Sequence, residues 1–385
     1  MIKLREIAKV TAGQAAPKEF ADEGYPFIRA GHLEGLLSNL SLNDIPKVSE
    51  EVAQKKRLKK IPKGTILFAK SGMSATKNRV YITERESYFV SHLAGILPSE
   101  RFSNSYLARF LSWYNPSKLI LDAAYPSIRL EDINNLSIPL PPLLQQKKIA
   151  AILDAADEYR QKTKALIAKY DELTQSLFLD MFGDPVTNPK GFEIKQLKEF
   201  GRIVTGNTPS RKNEKNYNSD YIEWIKTDNI NSELLYVTKA KEYLSEEGLR
   251  NGRSVEAGSL LVACIAGSIK SIGRAALTNR KVAFNQQINA IEPSSNTNSQ
   301  FLYHMFKSCP KYIQDHASHG MKRMLSKGDF QQIKIVLPPT ELQNQFAERV
   351  QAIEAQKAQA QESLAKAEDL FNSLLQKAFK GELTS

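Results

Sequence analysis

The chain has 385 residues, too many for one ordinary core, so two or three domains are expected. Its hydrophobic content of 42% suits globular cores, no apolar run approaches a membrane span, and the opening MIKLREIAKV lacks the apolar block of a secretion signal. Cys264 and Cys309, without a CxxC pair or a Cys/His cluster, exclude a disulfide framework and a zinc site and fit a reducing cytoplasm, while 53 basic and 42 acidic residues leave a net charge of +11.

Residues 1–143 read as an α+β block. TILFA from Thr65 and ITERESYFV from Ile82 have strand character, and NSYLARFLSWY from Asn104 reads as a helix. Residues 144–184 then follow a heptad pattern. Ile149, Ala156, Thr163, Tyr170 and Leu177 fall on one line, and Ile152, Tyr159, Leu166 and Leu173 on the other, which predicts a coiled-coil seam. Pro141 and Pro142 suit its start, Gly183 and Pro185 its end, and its length predicts a rod of about 58 Å.

Residues 185–339 repeat the block, with strands at SLLVACIA from Ser259 and KVAFNQQINAIEP from Lys281 and a helix at NSQFLYHMFKS from Asn298. Residues 340–385 repeat the helix with a weaker stripe of Phe346, Val350, Ile353, Leu364, Leu370, Phe371 and Leu374, and with Arg349, Gln356 and Ser363 expected in its seam. A stripe of this kind needs cover, and the other helix laid antiparallel is the natural cover. The expected shape is a two-stranded rod with a block at each end, related by a pseudo-twofold axis.

The repetition is close in the helices. A shift of 197 residues puts Pro142 on Pro339, Gln146 on Gln343, Leu173 on Leu370 and Phe182 on Phe379. The blocks agree only in outline, KLREIAKVTAG from Lys3 with QLKEFGRIVTG from Gln196, and VSHLAGILP from Val90 with FNQQINAIEP from Phe284. Similar helices imply a shared structural task or a shared partner, and diverged blocks imply readers of different targets.

Charge follows the same division. The first block carries +6, its helix −1, the second block +8 and its helix −2, which fits either a polyanion partner for the blocks or a merely soluble basic surface on them. Side chains suited to base edges and phosphates are Arg29, His32, Lys70, Lys77, Asn78, Arg79, His92 and Arg129 in the first block. In the second they are Lys226, Asn229, Lys270, Arg274, Gln286, Gln287, Lys322 and Arg323. Arg29 falls on Lys226, Arg79 on Arg274 and His92 on Gln287. The run KKRLKK, Lys55–Lys60, can hold phosphates or be a solvated helix face.

Catalytic patterns are sparse. GxxxxGK[ST], GxGxxG, NPPY-like, GxSxG and HExxH motifs are absent. Asp184 with Glu193-Ile194-Lys195 matches a nuclease-like Asp…Glu-x-Lys pattern, which would need two carboxylates on one divalent ion. The pattern is common by chance, and the first copy has no equivalent. A metal-dependent nuclease and a coiled-coil adaptor for proteins are the rival readings.

The duplicated PLPP-to-helix unit, Ile138–Asp184 and Ile335–Gly381, and the paired openings LREIAKVTAG and LKEFGRIVTG resemble the DNA-specificity subunits of Type I restriction-modification systems over essentially the whole chain. That resemblance implies two α/β target recognition domains, each similar to the small recognition domain of an adenine methyltransferase and each reading half of an asymmetric bipartite site in double-stranded DNA. It implies helices that set the spacer and dock methyltransferase subunits, normally two, with an endonuclease/translocase subunit joining. S-adenosylmethionine, ATP and magnesium would lie on those partners, and this chain would bind no cofactor and no membrane.

Overall fold

The computed structural model describes residues 1–38, 40–231, 234–318 and 324–383. Two compact units form, Met1–Lys164 with Glu362–Ser385, and Ala165–Gln361. The boundary falls inside both long helices, Leu143–Phe182 and Thr340–Lys380, so each unit contains one block and part of each helix.

In the first unit a four-stranded antiparallel sheet runs in the order Val10–Ala12, Leu93–Ile96, Ile66–Ala69, Val80–Ile82. The second unit repeats it as Gly201–Thr205, Ile288–Pro293, Leu260–Ala263, Ala275–Leu277. Each unit adds a smaller sheet with one parallel pair, Tyr25–Ile28 with Tyr88–Phe89 and Ile222–Ile225 with Val282–Phe284. Ile2–Lys3 pairs with Ser137–Ile138, and Glu193–Gln196 with Lys334–Leu337, so the ends of each block are closed together. The central strands Ile66–Ala69, Leu93–Ile96 and Leu260–Ala263 are buried throughout, which explains their unbroken apolar runs.

Two expected strands are each interrupted. ITERESYFV supplies only the last residue of one strand, Ile82, before a turn at Glu84–Arg85 and a second strand, Tyr88–Phe89. KVAFNQQINAIEP divides into Val282–Phe284 and Ile288–Pro293 around Asn285-Gln286-Gln287, where the Asn285 side chain accepts from the Gln287 amide at 3.1 Å. Asparagine at such a bend competes with the strand ladder for backbone donors. The expected helices occur at Asn104–Tyr114 and Ser299–Ser308.

Within each unit the helix segments pack antiparallel. In the first, Arg160 lies over the Phe371 ring at 4.4 Å and Lys164 meets Glu368 at 3.0 Å. In the second, Lys357 meets Asp171 at 2.6 Å and Arg349 reaches Met181 at 3.9 Å. One expected seam line is correct and the other is displaced by one residue. Ile149 and Thr163 are buried and Ala156, Tyr170 and Leu177 half-buried, but Ile152, Tyr159, Leu166 and Leu173 are 40%, 53%, 43% and 50% exposed. The inward line is instead Gln146, Leu153, Arg160, Ile167, Thr174 and Met181. Hydrophobicity favours the wrong line, because three members of the inward line are polar and are accommodated by specific partners. On the second helix Arg349 and Gln356 are exposed and Leu370 is 55% exposed, while Val350, Lys357, Ala360 and Ala367 turn inward.

Each long helix is attached to its block by a buried glutamine. Gln146 accepts from the Ser103 amide at 2.9 Å and donates to the Pro141 carbonyl at 2.8 Å. Gln343 accepts from the Asn298 amide at 2.8 Å and donates to the Pro338 and Asn296 carbonyls at 2.7 and 3.1 Å. Replacing Gln343 with leucine strands these buried groups and should cost about 3 kcal/mol in urea unfolding. The same change at the exposed Gln345 should cost less than about 0.5 kcal/mol.

Candidate nucleic-acid interface

Three loops meet at one end of the central strands of the main sheet in each unit, held by corresponding backbone bonds. In the first unit the Lys70 amide donates to the His92 carbonyl at 2.9 Å, and the Ile128 amide to the Lys70 carbonyl at 2.7 Å. In the second the Cys264 amide donates to the Gln287 carbonyl and the Leu325 amide to the Cys264 carbonyl, both at 2.8 Å. Lone bridges join Ser71 to Ser127 and Ile265 to Met324 in the corresponding places. The strands fix the framework, and the side chains at matched positions differ: Lys70 and Cys264, Ser71 and Ile265, His92 and Gln287.

Lys70 and His92 are therefore brought together, and His92 Nδ1 shares a 2.8 Å hydrogen bond with the Ser71 hydroxyl. Arg29 is exposed over the Phe20 ring at 4.9 Å, and its amide donates to His32 Nδ1 at 3.2 Å. Burial, and then the Arg29 charge, hold the His32 imidazole below its usual pKa. Lys77 and Asn78 are exposed, with the Asn78 amide on the Ser112 carbonyl at 2.5 Å. Arg79 pairs with Glu34 at 2.6 Å. Arg129 is engaged by both carboxylate oxygens of Asp132, at 2.9 and 3.0 Å, at the start of helix Leu130–Asn134.

In the second unit Lys226 is ion-paired to Glu242 and lies 5.0 Å from the Trp224 ring centroid. Asn229 departs from its expected role. It is buried, and its amide is spent on the Lys226 amide and on Thr238 and Lys239 at 3.0–3.1 Å, so it holds the loop and presents nothing to a ligand. Lys270 is exposed beside Arg274, whose guanidinium donates to the Ser271 carbonyl at 3.4 Å. Gln286 is exposed and accepts from Thr208, and Gln287 accepts from Asn285 at 3.0 Å. Lys322 and Arg323 lie outside the described residues. Lys60, in the basic run, is tied to Glu86 at 2.9 Å and sits 4.0 Å over the Tyr25 ring.

The Asp184 carboxylate accepts from the Val186 and Thr187 amides at 2.7 and 3.1 Å and so holds the turn after the helix, which ends at Phe182 with Gly183 at φ +72°. Lys195 pairs with Glu193 at 2.5 Å on the edge ribbon. Among the described residues no three His, Cys, Asp or Glu side chains gather as a metal site. Sequence reasoning missed Met73 and Tyr125, 70% and 82% exposed on the same loops. Their signal was an apolar side chain in a stretch with neither helical nor strand period. Exposed apolar side chains among basic groups suit stacking on or wedging between bases.

The comparisons agree with this architecture. Residues 1–170 and 189–368 match the family described as "Type I restriction modification DNA specificity domain". The HindI specificity subunit of Haemophilus influenzae is 32% identical over 170 residues, 43% of this chain and 36% of that protein, so the match spans about a third of the relative. The EcoKI specificity subunit of Escherichia coli K12 is 22% identical over 94% of this chain and 83% of its own length. A crystal structure of a Type I S subunit from M. genitalium superposes with a TM-score of 0.60 at 15% identity, covering 98% of this chain and 95% of that one. A chain from a structural study of complex assembly in the type I R-M system gives 0.57 at 18%, covering 99% and 97%.

Replacing Lys70 and Lys77 with alanine should each lower the slope of log affinity for duplex DNA against log salt by up to about 0.9. An unchanged slope in both variants would remove this face from consideration. With two domain matches that together span most of the sequence, the chain belongs to the family of Type I restriction-modification DNA specificity domains.

Proposed function

We propose that this chain is the non-catalytic DNA-recognition subunit of a cytoplasmic Type I restriction-modification complex. Each block reads one half of an asymmetric bipartite site, and the long helices set the distance between the halves. The observation that carries this reading is the loop cluster above, with corresponding backbone bonds in both units and different side chains on them. A framework that holds geometry constant while its side chains change is what two half-sites of unrelated sequence require.

We infer a docking face for the partners from the displaced seam. Leu166 and Leu173 in the second unit are large apolar side chains, 43% and 50% exposed on the first long helix. Heptad-spaced apolar groups left uncovered on a helix suit the packing of another protein. We assign this face to methyltransferase subunits, two per chain by the repeat, with an endonuclease/translocase subunit joining the assembly. S-adenosylmethionine, ATP and magnesium belong to those partners.

Methylation mapped at single-base resolution, with and without this chain beside its methyltransferase, is the deciding test. Adenine methylation at a two-part motif with a fixed gap, present only with the chain, is the expected result. Divalent-ion-dependent cleavage by the isolated chain, lost in Glu193→Ala, would replace this reading with a nuclease. The double change Leu166→Asp and Leu173→Asp should abolish co-purification of the methyltransferase subunit and leave the melting temperature within about 2 °C, since both side chains are exposed. Undiminished co-purification would place the docking face elsewhere.

A further inference from the structure

The two units close the same helix junction with different chemistry. In the first, Arg109 donates to Asp154 at 2.9 Å and to Asp157 at 2.7 Å, and Arg160 donates to the other oxygen of Asp157 at 2.7 Å. Both guanidinium groups lie over the Phe371 ring, at 5.7 and 4.4 Å. Two cations, their carboxylates and an aromatic face fill the junction.

The repeat identifies the counterparts. The shift of 197 along the long helices puts Asp157 on Glu354, Arg160 on Lys357 and Thr174 on Phe371. The block helices are aligned by their caps, Ser103 and Asn298, whose amides both donate to the buried glutamines. That alignment puts Arg109 on His304. The second unit therefore has imidazole in place of guanidinium and threonine in place of phenylalanine.

The lost volume remains as a cavity of about 230 Å³ within the second unit, lined by His304, Glu354, Lys357, Thr174 and Asp171 among others. Lys357 turns to Asp171 at 2.6 Å, and the Glu354 carboxylate is left with no hydrogen bond or ion pair among the described residues. His304 is 6% exposed and its Nε2 has no partner. Burial pushes the imidazole pKa down to about 3, so the ring is neutral at physiological pH and does not repel a cation. The lining carries three carboxylates, Asp171, Glu172 and Glu354, against the two ammonium groups of Lys307 and Lys357. An unpaired acid beside a neutral imidazole and an aromatic ring, that of Tyr303, is a setting that a planar multidentate cation satisfies.

We propose that this cavity is a guanidinium-binding site, taking from outside the group that Arg109 supplies internally in the first unit. The mouth is bordered by the exposed Glu172 and Gln175, next in sequence to Leu173 and Thr174. The group can come from an arginine of a docked protein or from a free guanidine. The site itself does not depend on the DNA-recognition reading.

The test is a titration of the full chain with methylguanidinium at low millimolar concentration, followed by NMR of ring-labelled histidine, with methylammonium and sodium chloride as controls. Saturable movement of the His304 resonances is expected with methylguanidinium and not with the controls. Glu354→Gln should weaken the response about tenfold or more, by loss of a charge-assisted pair. His304→Arg, which removes the reporter ring and is therefore read by titration calorimetry against the unaltered chain, should abolish the saturable binding by filling the site from within. No saturable movement, or an undiminished response in Glu354→Gln, overturns the proposal. Repeating the titration with the methyltransferase subunit bound separates the sources. Loss of the response assigns the group to an arginine of that subunit, and retention assigns it to a small guanidine.

Discussion

The structure depends on one polar interaction made twice, a glutamine amide buried at the start of each long helix. Gln146 and Gln343 are 1% and 0% exposed, and each side chain bonds to the cap residue of a block helix and to a carbonyl of the segment before its own helix. A buried amide is costly unless both its ends are satisfied, so the geometry admits little variation. It fixes the start of the long helix against the block and thereby the face that the helix turns inward. Phe346 and Val350 in one unit, and Ile149 and Leu153 in the other, then enter the core of the adjoining block. Block and helix are one hydrophobic body, which is why the compact units divide within the helices and not at their beginnings.

That anchoring leaves the loop end of each main sheet free to vary. Its strands are held by ladder hydrogen bonds and by wholly buried side chains, so backbone position is insensitive to what the loops carry. His92 and Gln287 occupy the same place with the same backbone bond and offer different donors and acceptors. Several basic residues near this end are already partnered, Arg79 by Glu34, Arg129 by Asp132 and Lys226 by Glu242. Such pairs hold side chains in defined directions, and contact with phosphate would have to exchange one anion for another.

The repeat also shows how a duplicated junction can diverge. Phe371 and Arg109 close it in one unit; Thr174 and His304 leave it open in the other. The helix seam tolerates this because polar members, Lys357 with Asp171 and Arg160 with Asp157, replace apolar packing with ion pairs that are partly shielded from water.

Much was legible in the sequence. The duplication, the two long helices with ends at Gly183 and near Gly381, the paired block helices and the confinement of basic charge to the blocks follow from local pattern and composition, which need no knowledge of neighbours. The seam was legible only in part. Heptad spacing places residues on lines, but which line faces inward depends on what lies opposite, and Gln146 and Arg160 are stabilised there by partners distant in the chain, the Ser103 amide and the Phe371 ring. Asn229 was unreadable for the same reason, since a polar loop residue looks alike whether its amide faces water or closes a turn onto Thr238. Local periodicity and charge fixed the elements and their repetition. Tertiary structure decided which polar groups are consumed and which remain available, because hydrogen-bond satisfaction is a property of partners in space.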